Sequence, residues 1–146
     1  MSNTTLDKIK AVAASIGACK KIGEPVSWEE MARLFFSAQG REFCERHEFP
    51  SIVWWNKIKR DCNLAKLGIY VDAGQIERTG AVDIALVGNT SGVLRYETPA
   101  SIHRVILMHG AKARVTVRNH AVVLITKIGL AGEVEIDRDE TSTILW

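Results

Sequence analysis

Asp83 and three histidines are the side chains of this sequence best suited to acid–base chemistry. His103, His109 and His120 all follow Asp83, in a region of alternating apolar residues. A histidine that contacts a carboxylate is a common general acid or base in enzymes. If successive repeats of this region stack, Asp83 comes beside His103. A polar cross-strand pair on the surface explains the same spacing, and we prefer it. His109-Gly110 is typical of a turn rather than of a ligand site. We therefore predict no catalytic residue and no enzymatic activity.

The glycine-rich and cysteine-containing segments predict neither a cofactor nor a metal. The segment Gly88 to Gly92 has neither the P-loop spacing nor the dinucleotide-binding spacing, and it predicts a turn. Cys19, Cys44 and Cys62 are odd in number and widely spaced, which is typical of reduced thiols. Cys44 and His47 have a spacing that can chelate zinc, but no second pair of ligands is evident.

One segment combines aromatic and basic residues in the manner of a nucleic-acid interface. It contains Trp54, Trp55, Lys57, Lys59 and Arg60. Aromatic rings can stack on bases while cations neutralise phosphates, and three short helices could form a helix-turn-helix. The alternative, which we prefer, is that the tryptophans anchor the helical region while the cations cover its outer face. Three glutamates nearby would repel a nucleic-acid backbone.

The tryptophans also suit a protein interface, where large aromatic side chains often supply much of the binding energy. Trp54, Trp55 and Trp146 are the candidates, and Trp146 is the last residue of the sequence. Packing within the chain is the alternative explanation for each of them, and we prefer it. We expect a protein partner, through self-association or within a larger assembly.

The elements that would position these residues begin with a repeat between Ala81 and Glu140. This stretch can be written as three lines of twenty residues, each with an apolar run, a glycine-containing break and an alternating run. Apolar β-branched runs predict buried strands, and alternation predicts strands with one face in a core. A repeat of this length is typical of a β-solenoid, which buries apolar surface only by stacking. Stacking would place Arg114 near Glu133 or Glu135. An antiparallel sandwich with hairpin turns at Gly88-Asn89 and His109-Gly110 is the alternative.

The first third of the chain predicts three short helices. Leu6, Ile9, Ala13 and Ile16 form one apolar stripe. Ser27 and Glu30 have the spacing of a capping box, with Val26 and Met31 placed for a hydrophobic staple. Gln39-Gly40 is expected to interrupt this second helix. Ser51 is expected to cap a third helix that runs to about Arg60.

Composition restricts the class of protein. The chain has 146 residues, a net charge of +2 and 47% hydrophobic residues, which fits one globular protein and not a dedicated nucleic-acid binder. It contains no run of eighteen apolar residues, so we expect no membrane span. The polar N-terminus does not resemble a secretory signal. We expect cytoplasmic synthesis, with a virion as the alternative location.

Four segments resemble uncharacterised small proteins of Bacteroidetes and of their phages and mobile elements. They are Leu34 to Ser51 (LFFSAQGREFCERHEFPS), Gly68 to Gly74 (GIYVDAG), Val87 to Thr90 (VGNT) and Val105 to Ala113 (VILMHGAKA). This resemblance covers most of the chain. It implies no activity, and it favours a phage or mobile-element origin.

Together these patterns predict an α+β protein, with a helical segment at residues 1–62 and a β-repeat region at residues 63–146. A short β-solenoid is favoured over the antiparallel sandwich. Because an open solenoid end exposes strand edges, we expect an oligomer or an assembly component. The predicted function is a non-catalytic structural or interaction protein of a phage or mobile element. The alternatives are a small nucleic-acid-binding regulator that uses Trp54 to Arg60 and, ranked last, a carbohydrate-active β-helix enzyme.

Overall fold

The chain divides into a helical unit that ends at Leu67 and a β unit that begins at Gly68. The computed structural model describes residues 4–18, 20–99, 102–129 and 132–146. The helical unit contains four α-helices and two 3₁₀ helices among these residues. The α-helices are α1 (Thr4–Ser15), α2 (Trp28–Phe36), α3 (Ala38–His47) and α4 (Ile52–Asp61), and the 3₁₀ helices are Lys20–Gly23 and Leu64–Leu67.

The predicted number of three helices is wrong, because the chain turns between α2 and α3 at the single residue Ser37. The backbone N–H of Ser37 donates to the carbonyl oxygens of Arg33 and Leu34, which ends α2. Its hydroxyl accepts a hydrogen bond from the backbone N–H of Gly40 (3.1 Å), which begins α3. Gly40, expected to interrupt a helix, lies instead in the first turn of α3. A side chain there would overlap the carbonyl oxygen of Leu34.

The predicted start of α2 is confirmed, although the reciprocal hydrogen bond differs. The Ser27 hydroxyl accepts from the backbone N–H of Glu30 (3.2 Å), as a capping box requires. The Glu30 carboxylate accepts from the N–H of Val26 (2.6 Å) rather than from that of Ser27. Val26 is 79% exposed, so the predicted staple between Val26 and Met31 is wrong. The cap at Ser51 is confirmed, since its hydroxyl accepts from the N–H of Trp54 (3.3 Å).

The β unit consists of nine described strands whose sequence order alternates between two sheets. They are β1 (Ile69–Val71), β2 (Gly74–Thr79), β3 (Asp83–Val87), β4 (Thr90–Tyr96), β5 (Ile102–Met108), β6 (Lys112–Val117), β7 (Val122–Ile128), β8 (Glu133–Arg138) and β9 (Thr143–Leu145). The five-stranded sheet has the order β1-β3-β5-β7-β9, and the four-stranded sheet has the order β2-β4-β6-β8. Every one of these strand pairs is parallel.

The predicted fold is therefore corrected. The chain is α+β, but its β region consists of two parallel sheets of five and four strands, and not the short solenoid of three twenty-residue repeats. The antiparallel alternative is also wrong, because the turns at Gly88-Asn89 and His109-Gly110 join strands of different sheets. Strands β1, β2 and β9, outside or at the ends of the predicted repeat, pair with strands inside it.

The twenty-residue alignment holds between β5 and β7, where Ile102 pairs with Val122, and fails for the other strand pairs of the predicted repeat. Asp83 pairs with Arg104 rather than with His103, and Lys112 pairs with Glu133, so twenty-one residues separate these partners. A shift of one residue moves every side chain of a strand to the opposite face. The burial of apolar side chains therefore decides which residues pair.

Apolar side chains that point between the two sheets form the core of the β unit. Its fully buried members include Ile84, Leu86, Leu94, Val105, Val115, Val123 and Ile125. Half-buried hydrophobic residues pack against this cluster at its ends, namely Tyr70, Ile76, Ala81, Val134, Ile136 and Ile144.

Each of the first four strands of the five-stranded sheet is followed directly by a residue with positive φ. These residues are Asp72 (φ 46), Gly88 (φ 68), His109 (φ 54) and Gly129 (φ 81). This left-handed conformation allows the tight corner at which the chain leaves one sheet for the other. The expectation that His109 belongs to a turn is therefore confirmed.

Candidate functional site

Strands β8 and β9 are the outer strands at the C-terminal side of the two sheets. Within residues 4–18, 20–99, 102–129 and 132–146, no strand pairs with the second side of either one. We call β8, the turn 139–142, β9 and Trp146 the C-terminal edge. A strand with one unpaired side exposes hydrogen-bonding groups that can pair with another chain.

The backbone of β8 shows which groups face the unpaired side. The N–H of Asp139, directly after β8, donates to the carbonyl oxygen of Val117 (3.2 Å), and so points toward β6. Backbone groups alternate in direction along a strand. The N–H and C=O groups of Val134 and Ile136 therefore point away from β6. In β9 the N–H of Thr143 donates inward to Ala121, so the backbone groups of the next residue point outward by the same argument.

The C-terminal edge also exposes apolar side chains. Val134 and Ile136 from β8 and Ile144 from β9 pack against the core and remain half-buried. Leu145 is 41% exposed and Trp146 is 70% exposed. A layer of the core is thus only partly covered at this edge. Exposed apolar surface beside unpaired backbone groups is typical of an interaction site.

A row of carboxylates lies on the outer face of β8, and each is paired with a cation from β6 or the residue after it. The Lys112–Glu133 pair has an N–O distance of 3.8 Å, the Arg114–Glu135 pair 3.1 Å and the Arg118–Asp137 pair 2.9 Å. The Arg114–Glu135 contact confirms the predicted proximity. The hydrogen bond that the Arg118 guanidinium donates to the Asp137 carboxylate raises the pKa of Arg118 above its ordinary value. The three carboxylate side chains are 77%, 73% and 68% exposed, so they remain accessible from the unpaired side.

Asp139 organises the turn between β8 and β9. Its carboxylate accepts hydrogen bonds from the backbone N–H groups of Asn119 (3.0 Å), Thr141 (3.0 Å) and Ser142 (3.1 Å), and from the Thr141 hydroxyl (2.8 Å). These bonds stabilise the charged form, and that from Asn119 has the largest effect on the pKa of Asp139, which they lower to about 2. The carboxylate thus holds the chain in position to begin β9.

We expect Asp139→Asn to weaken the β unit at neutral pH, with a difference from wild type that shrinks in acid. The carboxyl pKa of the folded chain lies below its ordinary value of 3.8. The stabilisation is therefore complete above about pH 4 and is lost as pH falls toward 2. Urea unfolding at a series of pH values, monitored by the circular dichroism signal of the β-strands, measures this difference in stability. Glu140→Gln is the matched control, and an unchanged difference between pH 5 and pH 2 would contradict the assignment.

The outer face of the four-stranded sheet contains a shallow groove of about 340 Å³. Its lining residues include Gln75, Glu77, Ser91, Lys112, Arg114 and Glu135. Both cations of this lining, Lys112 and Arg114, already form ion pairs with acids of β8. The groove therefore has no surplus of positive charge that would specify an anionic ligand.

The predicted nucleic-acid segment forms most of α4. Trp55 is 3% exposed, and its ring packs edge-on against Phe35 at a centroid distance of 5.3 Å. Trp54 is half-buried, and Lys57 Nζ lies 4.8 Å from the centroid of its ring. The structure thus brings Trp54 and Lys57 together. Lys57, Lys59 and Arg60 are exposed on the same helix. Trp146, in the β unit, is the most exposed of the three predicted interface tryptophans.

Asp83 and His103 do not occupy opposite positions on neighbouring strands. The Asp83 carboxylate lies 3.4 Å from the Nε of Arg104, its partner in the register. His103 is 3% exposed, and its Nδ1 lies 3.1 Å from the carbonyl oxygen of Ala81. Its ring contacts that of Tyr96 in a tilted arrangement, with a centroid distance of 4.5 Å. The premise that stacking places Asp83 over His103 is wrong. The preferred explanation, a polar cross-strand pair of these two residues on the surface, is wrong for the same reason, and His103 is buried.

No group of three or more potential metal ligands lies together in the part of the chain that the structure describes. Cys44 is buried, and burial raises the pKa of its thiol to about 12. Burial is also the largest cause that raises the pKa of Cys62, to about 11. Cys19 lies outside the described residues.

The sequence-based candidates omitted β8 as an interface. The signal was present, because Glu133 to Asp137 alternates acids with apolar residues and Lys112 to Val117 contains cations at the partner positions. Alternation alone predicts a half-buried strand. It does not show that this strand is the outermost one.

No helix among the described residues is long and apolar enough to cross a membrane. Comparison with known proteins supplies no relative, since no protein-family model, curated protein or solved structure matches the chain.

Proposed function

We propose that this chain is a non-catalytic interaction protein that joins a larger assembly by docking a protein partner at its C-terminal edge. The observation that supports the proposal is the coincidence of three features there. The outer side of β8 and β9 has unpaired backbone groups, a half-exposed apolar layer lies beneath it, and Trp146 is exposed beside it. A phage or mobile-element origin remains part of the proposal on the resemblance alone.

The physical argument is that all three features are satisfied together by one added protein surface. A strand that pairs with β8 would provide partners for the backbone groups of Val134 and Ile136. The same strand would cover their side chains and that of Ile144, which removes apolar surface from water. Addition of a strand to a sheet edge is a recurrent mode of protein recognition. Trp146 would add the large aromatic contact that often dominates binding energy.

Site-specific photo-crosslinking tests this proposal. A benzoylphenylalanine replaces Trp146 in the chain produced in its native host, and the crosslinked products are identified by mass spectrometry. The matched control places the same residue at Val53, which is 61% exposed in α4. We expect a defined adduct at position 146, reduced at least five-fold by Ile136→Lys, and no such adduct at position 53.

The identity of the adduct distinguishes the two kinds of assembly. A product that contains two copies of this chain would indicate self-association, and a product with one other protein would indicate a mixed assembly. No adduct at position 146, or the same products at both positions, would refute docking at this edge.

A further inference from the structure

We infer that the partner at the C-terminal edge is a different protein, which pairs a β-strand of alternating basic and apolar residues with β8. This inference rests on the proposed function and specifies the chemistry of its partner. Strand β6, on the paired side of β8, shows what kind of strand fits. Lys112 and Arg114 on its outer face meet the acids of β8, while Val115 and Val117 point into the core.

A strand on the unpaired side of β8 would face the same acidic and apolar residues that β6 faces on the other side. Glu133, Glu135 and Asp137 stay 68–77% exposed although each has a cation on the β6 side. A second row of cations can therefore approach them from the opposite side. Opposite charges at directly facing positions favour a strand pair, and like charges disfavour it. The half-buried Val134 and Ile136 require apolar residues at the intervening positions.

A second copy of this chain does not offer such a strand at either end of the sheet. If β8 pairs with β8 of a copy in antiparallel orientation, the acids of the two strands face each other, for example Glu135 with Glu135 or with Asp137. If β8 pairs with β2 of a copy, the outward residues of β2 are Gln75, Glu77 and Thr79, which include no cation. Charge complementarity thus favours a different protein as the occupant.

Two peptides of opposite charge test the inference on the full chain. The basic peptide has the sequence of residues 111–118, AKARVTVR, with blocked ends. The control peptide AEAEVTVE has the same length and apolar residues. Binding is measured from backbone amide shifts in the isotopically labelled protein. We expect the basic peptide to bind at least ten-fold more tightly at low salt and to shift the amides of Val134 and Ile136. The preference should fall several-fold in 0.5 M salt because of screening.

Two variants show whether the peptide uses the predicted surface. The triple variant E133Q/E135Q/D137N removes the negative charges but retains side chains of similar size, so β8 should still form. We expect it to reduce the preference for the basic peptide to less than two-fold. Val134→Pro removes an N–H that points away from β6, so the β6–β8 hydrogen bonds remain while pairing with a new strand is blocked. We expect at least ten-fold weaker binding of the basic peptide to Val134→Pro.

The outcomes separate this inference from the proposed function. Equal binding of both peptides at β8 would uphold the edge as a docking site and overturn its charge preference. Strand addition would be overturned if the basic peptide did not bind, or if Val134→Pro left its binding unchanged. The crosslinking result tests the proposed function independently of the peptide experiment. A crosslinked product with two copies of this chain would overturn the choice of a different protein.

Discussion

Gly40→Ala is expected to destabilise the helical unit by about 3 kcal/mol, near the upper end of the usual cost of overpacking. In an ordinary helix the same substitution stabilises by about 1 kcal/mol. The sign reverses because a Cβ at position 40 would overlap the carbonyl oxygen of Leu34 and lie 2.8 Å from its carbonyl carbon. It would also lie 2.9 Å from the carbonyl oxygen of Phe35. Since these atoms belong to the backbone of α2, the two helices must separate to accept a methyl group.

Urea unfolding followed by tryptophan fluorescence measures this effect. Trp28, Trp54 and Trp55 lie in the helical unit and only Trp146 lies in the β unit, so the signal reports mainly on the helices. Gln39→Ala is the matched control, because its exposed neighbouring position in α3 should change stability by no more than about 0.5 kcal/mol. Stabilisation by Gly40→Ala would show that α2 and α3 do not approach this closely.

Leu86→Ala is expected to lower the free energy of unfolding of the β unit by about 2–5 kcal/mol. Leu86 has no exposed surface and points from the five-stranded sheet toward the four-stranded one. Its Cδ1 lies over Gly92 of β4, where a Cβ would be only 2.7 Å away. Removal of the side chain therefore leaves a cavity between two sheets whose hydrogen bonds resist collapse.

The matched control is Leu145→Ala in β9, where the side chain is 41% exposed. We expect it to cost less than about 1 kcal/mol, because about two fifths of its surface already contacts water. Amide hydrogen exchange in β3 to β7 measures both variants residue by residue. Equal losses of protection would mean that Leu86 is not a central core residue.

The local signals in the sequence predicted the helical unit well. Ser27 and Ser51 begin helices as their hydroxyl groups require. In the predicted apolar stripe, Leu6, Ile9 and Ala13 are buried, whereas Ile16 is 39% exposed. The errors lay at Val26, whose side chain is exposed, and at Ser37 and Gly40. A glycine in a sequence ordinarily indicates flexibility or a helix end. Here it permits contact with a backbone atom six residues away, which only the folded arrangement reveals.

The candidate site was predictable in its parts and not as a whole. The alternation of Val134 and Ile136 and the Arg114–Glu135 contact follow from spacing. The exposure of Trp146 does not, because a tryptophan in a sequence is equally compatible with packing within the chain. The burial of Trp55 against Phe35 does not, because it depends on how two helices pack. Whether a strand is an inner or an outer one depends on how many strands pair beyond it.

The sequence by itself determined that helices precede strands, where most helices begin, and that apolar runs alternate with turns. These properties arise from hydrogen bonds and side-chain periods within a few residues, so local patterns are sufficient to predict them. The tertiary structure alone decided the twenty-one-residue pairing of Asp83 with Arg104, the two parallel sheets and the unpaired side of β8. Register in a parallel sheet is selected by burial of one face against a distant face, and a shift of one residue reverses every side chain. The register therefore depends on the packing of the whole core. No single segment of the chain contains that information.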